Sequence, residues 1–238
     1  MIARNGTDDR RLLEREVDDL EASIQTIAAE FRAGFQAVAD IGRPGVTIFG
    51  SARIRDGHPV YERALAAGRL FAEAGFAVVT GGGPGVMEAA NRGAREAGGV
   101  SVGFNIRLPH EQQQNAYVDQ GYTFDHFYAR KVMLVKASEG FVLFPGGFGT
   151  LDELFEALTL MQTNKVLDFP VVLVGTGFWQ GLLDFIEGAV LANEMINAED
   201  EKLLFCTDDI DEAVAVVHEC YERRCAEVPA EPRKADAQ

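Results

Sequence analysis

Residues 140–163, GFVLFPGGFGTLDELFEALTLMQT, hold a strand, a turn and a helix in one stretch. The continuous apolar run at 140–144 reads as a buried strand, since it offers no polar face to solvent. Pro145 and the glycines at 146, 147 and 149 break that run, and a helical pattern follows over 151–163. On the helical wheel Leu151, Leu154, Phe155, Leu158 and Met161 share the face expected to be buried. Glu153 is then expected off that face, in the first turn and beside the glycines. Thr150 and Glu153 also fit a capping box, in which Glu153 would only satisfy the Thr150 amide. That reading leaves Pro145, Gly146, Gly147 and Gly149 unexplained.

The same alternation extends in both directions. Apolar runs at 46–50, 76–79, 100–104, 170–174 and 203–206 read as further strands, with helical patterns at 59–74, 85–97, 126–138, 178–192 and 209–224. Such alternation implies an α/β fold, a doubly wound, mainly parallel and Rossmann-like sheet of six to seven strands with helices on both faces. Ligands of such sheets bind at the carboxyl ends of the strands, near the switch in strand order. Residues 1–226 are expected to form a single domain. An extra N-terminal helix over 9–40 would either wrap its own domain or pack on a second subunit. The polar, Pro-containing stretch 227–238 reads as a disordered tail.

A second glycine turn, TGGGPGVMEAAN at 80–91, also lies where a strand ends and a helix begins. Glycines there let backbone amides approach a ligand closely, and the free N–H groups and dipole of the new helix favour an anion. Gly81, Gly82, Gly83 and Gly85 therefore join Gly146, Gly147 and Gly149 as candidates for holding a phosphate. Neither turn matches GxGxxG, and no GxxxxGK[ST] occurs, which argues against an ordinary dinucleotide dehydrogenase or a P-loop NTPase.

A formal net charge of −15 opposes contact with nucleic-acid polymers or an anionic membrane surface, so any phosphate must be held by local chemistry. No apolar run is long enough to span a bilayer, and the N-terminus lacks the apolar core of a signal peptide. Cys206, Cys220 and Cys225 show no zinc spacing and read as free thiols of a reducing compartment. A soluble, cytoplasmic protein is the expectation. His110-Glu111 is followed by Gln114 where a zinc protease needs histidine, and His58, His110, His126 and His218 show no ligand spacing. No metal site is expected.

At PGGFGTLDE (145–153) the sequence resembles the LOG family, the nucleoside-monophosphate phosphoribohydrolases that release cytokinin bases and are often mislabelled lysine decarboxylases. The family signature PGGxGTxxE is matched at every fixed position from Pro145 to Glu153, and its Arg-Lys pair by Arg130-Lys131 in HFYARKVML. FGSAR after the first strand, GGG after the second, and Gln162 and Pro170 also line up, over roughly residues 45–220. The resemblance implies hydrolysis of the N-glycosidic bond of a nucleoside 5′-monophosphate, AMP or a cytokinin riboside monophosphate, without metal or organic cofactor. It implies that the amides of Gly146, Gly147 and Gly149 with the Thr150 hydroxyl hold the 5′-phosphate. The loop Gly81–Gly85 would line the pocket. Glu153 would contact the ribose and position or deprotonate water, and Arg130 would complete the catalytic pair. It implies a homodimer or higher homo-oligomer with active sites close to the subunit interface.

The family's GGGxxGxMG is here GGGPGVME, one residue shorter, with Glu88 in place of a glycine. Phe148 fills a slot that is often Tyr in cytokinin-releasing members, and residues 105–122 differ from the short plant-type loop. These departures bear on the base. Glu88 could bind ribose or base, or act as a helix-start acid. Ser51, Arg53 and Lys131 are further candidate substrate contacts, and Arg107 could also reach the phosphate. The rival from another class is a non-catalytic carrier of a nucleotide or phosphorylated cofactor. Retention of both Arg130 and Glu153 favours the enzyme, because a carrier needs the turns but not that pair.

Overall fold

The computed structural model describes residues 17–108 and 114–227. Helix α1 (Val17–Ala39) precedes β1 (Gly45–Phe49), α2 (Pro59–Glu73), β2 (Ala77–Thr80), α3 (Val86–Glu96) and β3 (Ser101–Ile106). Then follow β4 (Gln120–Phe124), α4 (Phe127–Lys136), β5 (Phe141–Leu143), α5 (Phe148–Gln162) and β6 (Val171–Val174). Helix α6 (Thr176–Phe185) continues through a π-helical segment (Ile186–Leu191) to a short α7 (Ala198–Glu201), β7 (Leu204–Thr207) and α8 (Ile210–Glu227).

The seven strands form one sheet in the order β4-β3-β2-β1-β5-β6-β7, and every pairing is parallel. The expected doubly wound fold is observed. Strands β1, β2, β3, β5 and β6 are buried along their whole length because helices cover both faces. Alternate residues feed two cores. Phe49, Val79, Phe104 and Leu143 pack under α1, α4, α5 and α6, whereas Ile48, Val78 and Val142 pack under α2, α3 and α8.

Strand β4 was not anticipated. It is an edge strand with only Phe124 buried, so QGYTF carries no continuous apolar run for a reader to find. Helix α1 accounts for the described part of the 9–40 helix, and residues 9–16 lie outside the described residues. It packs on its own domain: a Cβ at Gly34 would stand 2.8 Å from Met133 of α4 and 3.0 Å from Phe124 of β4. Of the expected tail, Glu227 ends α8 and residues 228–238 lie outside the described residues, as do His110 and Glu111.

Strands β2, β3 and β4 extend to one side of β1, and β5, β6 and β7 to the other. The strand order therefore switches sides between β1 and β5, and the helices that follow these two parallel strands go to opposite faces. The crevice at their carboxyl ends is where an open parallel sheet receives a ligand.

Candidate active site

Ser51, just beyond β1, joins the two glycine turns. Its amide donates to the Pro145 carbonyl (3.0 Å), and its own carbonyl accepts from the Val86 amide (3.1 Å). Both helix N-termini are thereby drawn to one crevice. Gly85 must be glycine, because its φ is +73° and a Cβ would stand 2.4 Å from the Ser51 carbonyl oxygen.

The second turn runs directly into α5. The Gly147 carbonyl accepts from the amides of Thr150 (3.0 Å) and Leu151 (3.1 Å), so the helix begins at Phe148, earlier than the 151 expected. Thr150 is then inside the helix, no side chain caps α5, and the capping-box reading fails. Among the described residues no acceptor meets the amides of Gly146, Gly147 or Gly149. These are the free donors a helix N-terminus offers to an anion. The fold requires only the first of these glycines, since a Cβ at Gly146 would lie 2.1 Å from Thr150 Oγ1. Gly147 and Gly149 have ordinary φ and nothing within 4 Å of a Cβ. Between them Phe148 is 92 % exposed.

A buried polar network holds the first turn. Thr80 Oγ1 accepts from the Gly82 amide (2.9 Å) and donates to Asn91 Oδ1 (2.6 Å). Asn115 donates its amide to the Gly82 carbonyl (2.8 Å) and its Nδ2 to the Gly83 carbonyl (3.0 Å) and to Asn91 Oδ1 (2.9 Å). Asn91 Nδ2 in turn donates to Ser101 Oγ (2.9 Å) and the Val102 carbonyl (3.1 Å). Sequence reasoning missed this set. Its signal was polar residues inside apolar elements, together with Asn115 in the segment whose role was open.

Arg130 and Glu153 are near enough to influence each other's charge, though no ion pair between them is formed. Arg130 Nε donates to the Phe104 carbonyl (2.8 Å), and its Nη2 lies 2.3 Å from where a Gly81 Cβ would stand. Gly81 thus makes room for the guanidinium. Burial lowers the Arg130 pKa, and the charge of Glu153 opposes that shift. Glu153 itself is only 5 % exposed. This corrects the expected wheel: α5 buries Thr150, Glu153, Leu154, Ala157 and Met161, and leaves Phe155 exposed. One carboxylate oxygen of Glu153, Oε2, is buried without a hydrogen-bond partner. Burial pushes its pKa up to about 7 against the opposing pull of Lys131 and Arg130, with Glu156 and Asp152 adding to the rise. Lys131 spans from α4 to α5, with Nζ 2.9 Å from Asp152 Oδ1 and 2.5 Å from Glu156 Oε2. Burial lowers the Lys131 pKa, but these carboxylates outweigh it and leave the group raised.

The remaining candidates are less central. Glu88 is half-buried in the first turn of α3, and Tyr61 donates its hydroxyl to Oε1 (3.4 Å). Arg53 is exposed, with its amide donating to Ser51 Oγ (3.1 Å). Arg107 is committed to Asp125 (2.7 Å). No group of three or more His, Cys, Asp or Glu placed to hold a metal occurs among the described residues. No described helix is long and apolar enough to cross a membrane.

Residues 87–217 match a family model described as possible lysine decarboxylase. A cytokinin riboside 5′-monophosphate phosphoribohydrolase of Mycobacterium tuberculosis is 31 % identical over 158 residues, covering 64 % of this chain and 82 % of the relative. A probable enzyme of the same name from Oryza sativa subsp. japonica is 34 % identical over 131 residues, 53 % of this chain and 52 % of the relative. Among solved structures, the molybdenum cofactor carrier protein of Chlamydomonas reinhardtii superposes with a TM-score of 0.58 at 26 % identity, covering 76 % of this chain and 99 % of that one. The matched signature, the matched family model and the sheet that carries both turns place this chain in the LOG family.

Proposed function

We propose that this protein hydrolyses the N-glycosidic bond of a nucleoside 5′-monophosphate, AMP or a cytokinin riboside monophosphate, to a free base and ribose 5-phosphate. The observation that carries this reading is the buried carboxylate of Glu153, near-neutral in pKa and with one oxygen unpartnered, beside Arg130 and beneath two anion-ready turns. A phosphate cradle alone needs no such group.

In this reading the amides of Gly146, Gly147 and Gly149 and the Thr150 hydroxyl take the 5′-phosphate, and the first turn lines the pocket. The phosphate supplies binding energy remote from the reacting bond. As the C1′–N bond breaks, its electron pair leaves with the base and the ribose becomes oxocarbenium-like. Ionised Glu153 stabilises that positive charge and takes a proton from the attacking water, whose oxygen bonds to C1′. The proton ends on the departing base, so water and the monophosphate give base and ribose 5-phosphate in balance. Arg130 offsets negative charge developing on the base.

Incubation with AMP tests the reading, with adenine and ribose 5-phosphate expected in equal amounts. The likeness to a molybdenum cofactor carrier favours one second reading, a non-catalytic carrier of a phosphorylated ligand. AMP bound and recovered intact would support the carrier and overturn the hydrolase.

We assign a second copy of the chain to the α1–α4–α5–α6 face. Among the described residues every exposed large apolar side chain lies on these helices or in the loops after α5 and the π-helical segment, including Phe35, Phe127, Phe148 and Phe155. None lies on α2, α3 or α8. Exposed large apolar side chains confined to one layer of helices support an association face there.

A further inference from the structure

Helix α4 carries Arg130 and Lys131, yet nothing in its own sequence anchors its start. His126 is the N-cap with no side-chain capping bond of its own, and the first turn holds no acidic residue. The anchor comes from α1. Glu30 is a carboxylate only 7 % exposed in the middle of that helix. Its Oε2 accepts from His126 Nδ1 (2.6 Å), and its Oε1 from the amides of Asp125 and of His126 (3.3 Å for the latter). The charge thus sits at the positive end of α4, where a carboxylate is stabilising.

The seating is fixed at two levels. Below Glu30, Phe31 stacks on Tyr128 of α4 (6.5 Å between ring centres), and Tyr128 stacks on His126 (5.0 Å). One turn later, Gly34 admits Met133 at a distance that only a glycine allows. The anchored residue connects directly to the reactive pair, because the Arg130 amide donates to the His126 carbonyl (3.2 Å). Further out, the Arg130 guanidinium is held between the Phe104 carbonyl and Gly81. A shift of His126 would therefore move the start of α4 and, with it, the guanidinium.

We propose that Glu30 is a positioning residue for Arg130, so that the N-terminal helix is a working part of the site and not only a cover for the sheet. The proposal rests on the reading of Arg130 as one of the reacting pair. It accounts for a buried carboxylate that lies outside the span of the family model and that neither turn requires.

The test uses full-length Glu30→Gln and Glu30→Ala beside the parent protein, with AMP as the probe. Glu30→Gln keeps the shape of the side chain and removes its charge. The expected result is a kcat for adenine release lowered about 5–20-fold with KM within 2-fold, since a misplaced group of this kind costs rate and not phosphate binding. Hydrogen exchange at amides 130–134 of α4 should speed up while that of α5 stays unchanged. Unchanged kcat in folded variants overturns the proposal and leaves Glu30 a stabilising residue only. Unchanged exchange at 130–134 also overturns it. If the parent protein binds AMP without cleaving it, the hydrolase reading fails by itself. The positioning claim is then decided by exchange alone, which must speed up at amides 130–134 and not in α5 of Glu30→Gln for the claim to survive.

Discussion

The two glycine turns look alike in sequence and differ in what holds them. Gly81, Gly82, Gly83 and Gly85 are buried, two of them at positive φ, and Asn115 takes up the carbonyls of Gly82 and Gly83. Gly147 and Gly149 are exposed, have ordinary φ and touch nothing that a Cβ would disturb. At Gly81, Gly82 and Gly85 of the first turn the fold itself demands glycine. The second is glycine-rich at two positions the fold leaves free, as the proposed phosphate contact, with a ligand pressed against the backbone, would require. The pair also differs in charge handling: the first turn abuts Arg130, whereas the second opens the helix that buries Glu153.

The largest effect is expected at Glu153. Glu153→Gln should lower turnover of AMP by roughly 10²–10⁴-fold, the scale of a positioned acid or base. It should also stabilise the protein. The native pKa of about 7 lies above the ordinary 4.5, so the native state holds a proton that the unfolded chain has released, and stability falls as pH rises from 4.5 to 7. Glutamine escapes that loss, which amounts to at most ~3 kcal/mol at pH 8 for such a shift. Melting curves should show no gain at pH 4.5 and a gain of several degrees at pH 8, at about 2–4 °C per kcal/mol.

Alanine in the two turns separates their roles. Gly149→Ala should raise KM for AMP about 10-fold or more while leaving the melting temperature unchanged or higher, because alanine suits a helix better than glycine by ~0.5–1 kcal/mol. Gly85→Ala should do the reverse in kind, costing about 1–3 kcal/mol of stability through strain at positive φ. Equal melting losses in both variants would erase the distinction. Asn115→Ala leaves the Gly82–Gly83 turn short of its side-chain donor, and should raise KM about 3–10-fold with a stability loss of about 1 kcal/mol. The smallest kinetic effect belongs to Phe155→Glu on the apolar face, which should shift the protein to smaller species in light scattering.

Much of this was legible in the sequence because it rests on continuous apolar runs and clustered glycines. The central strands and both turns came from that signal, whereas the pairing of Arg130 with Glu153 was only implied by the family resemblance. The burial of Glu153 did not, for a reason visible in LDELFEALTLM. That helix is apolar around most of its girth, so periodicity cannot choose between a face centred on Phe155 and one centred on Leu154 and Ala157. Its start was misplaced because Thr150 and Glu153 mimic a cap, while the Gly147 carbonyl begins the helix earlier. The edge strand β4 and the Asn91–Asn115 network depend on tertiary partners distant in sequence, which local pattern does not encode.

The dependence of kcat/KM on pH, measured for AMP with the parent protein and with Glu153→Gln, reports directly on the free carboxylate. The parent should lose activity about tenfold per pH unit below a midpoint near 7, where Glu153 takes up its proton. In Glu153→Gln that limb should vanish from the residual rate, leaving only the titration of the substrate phosphate near ~6. The same limb near 7 in both proteins would contradict the assignment of Glu153 as the reacting carboxylate.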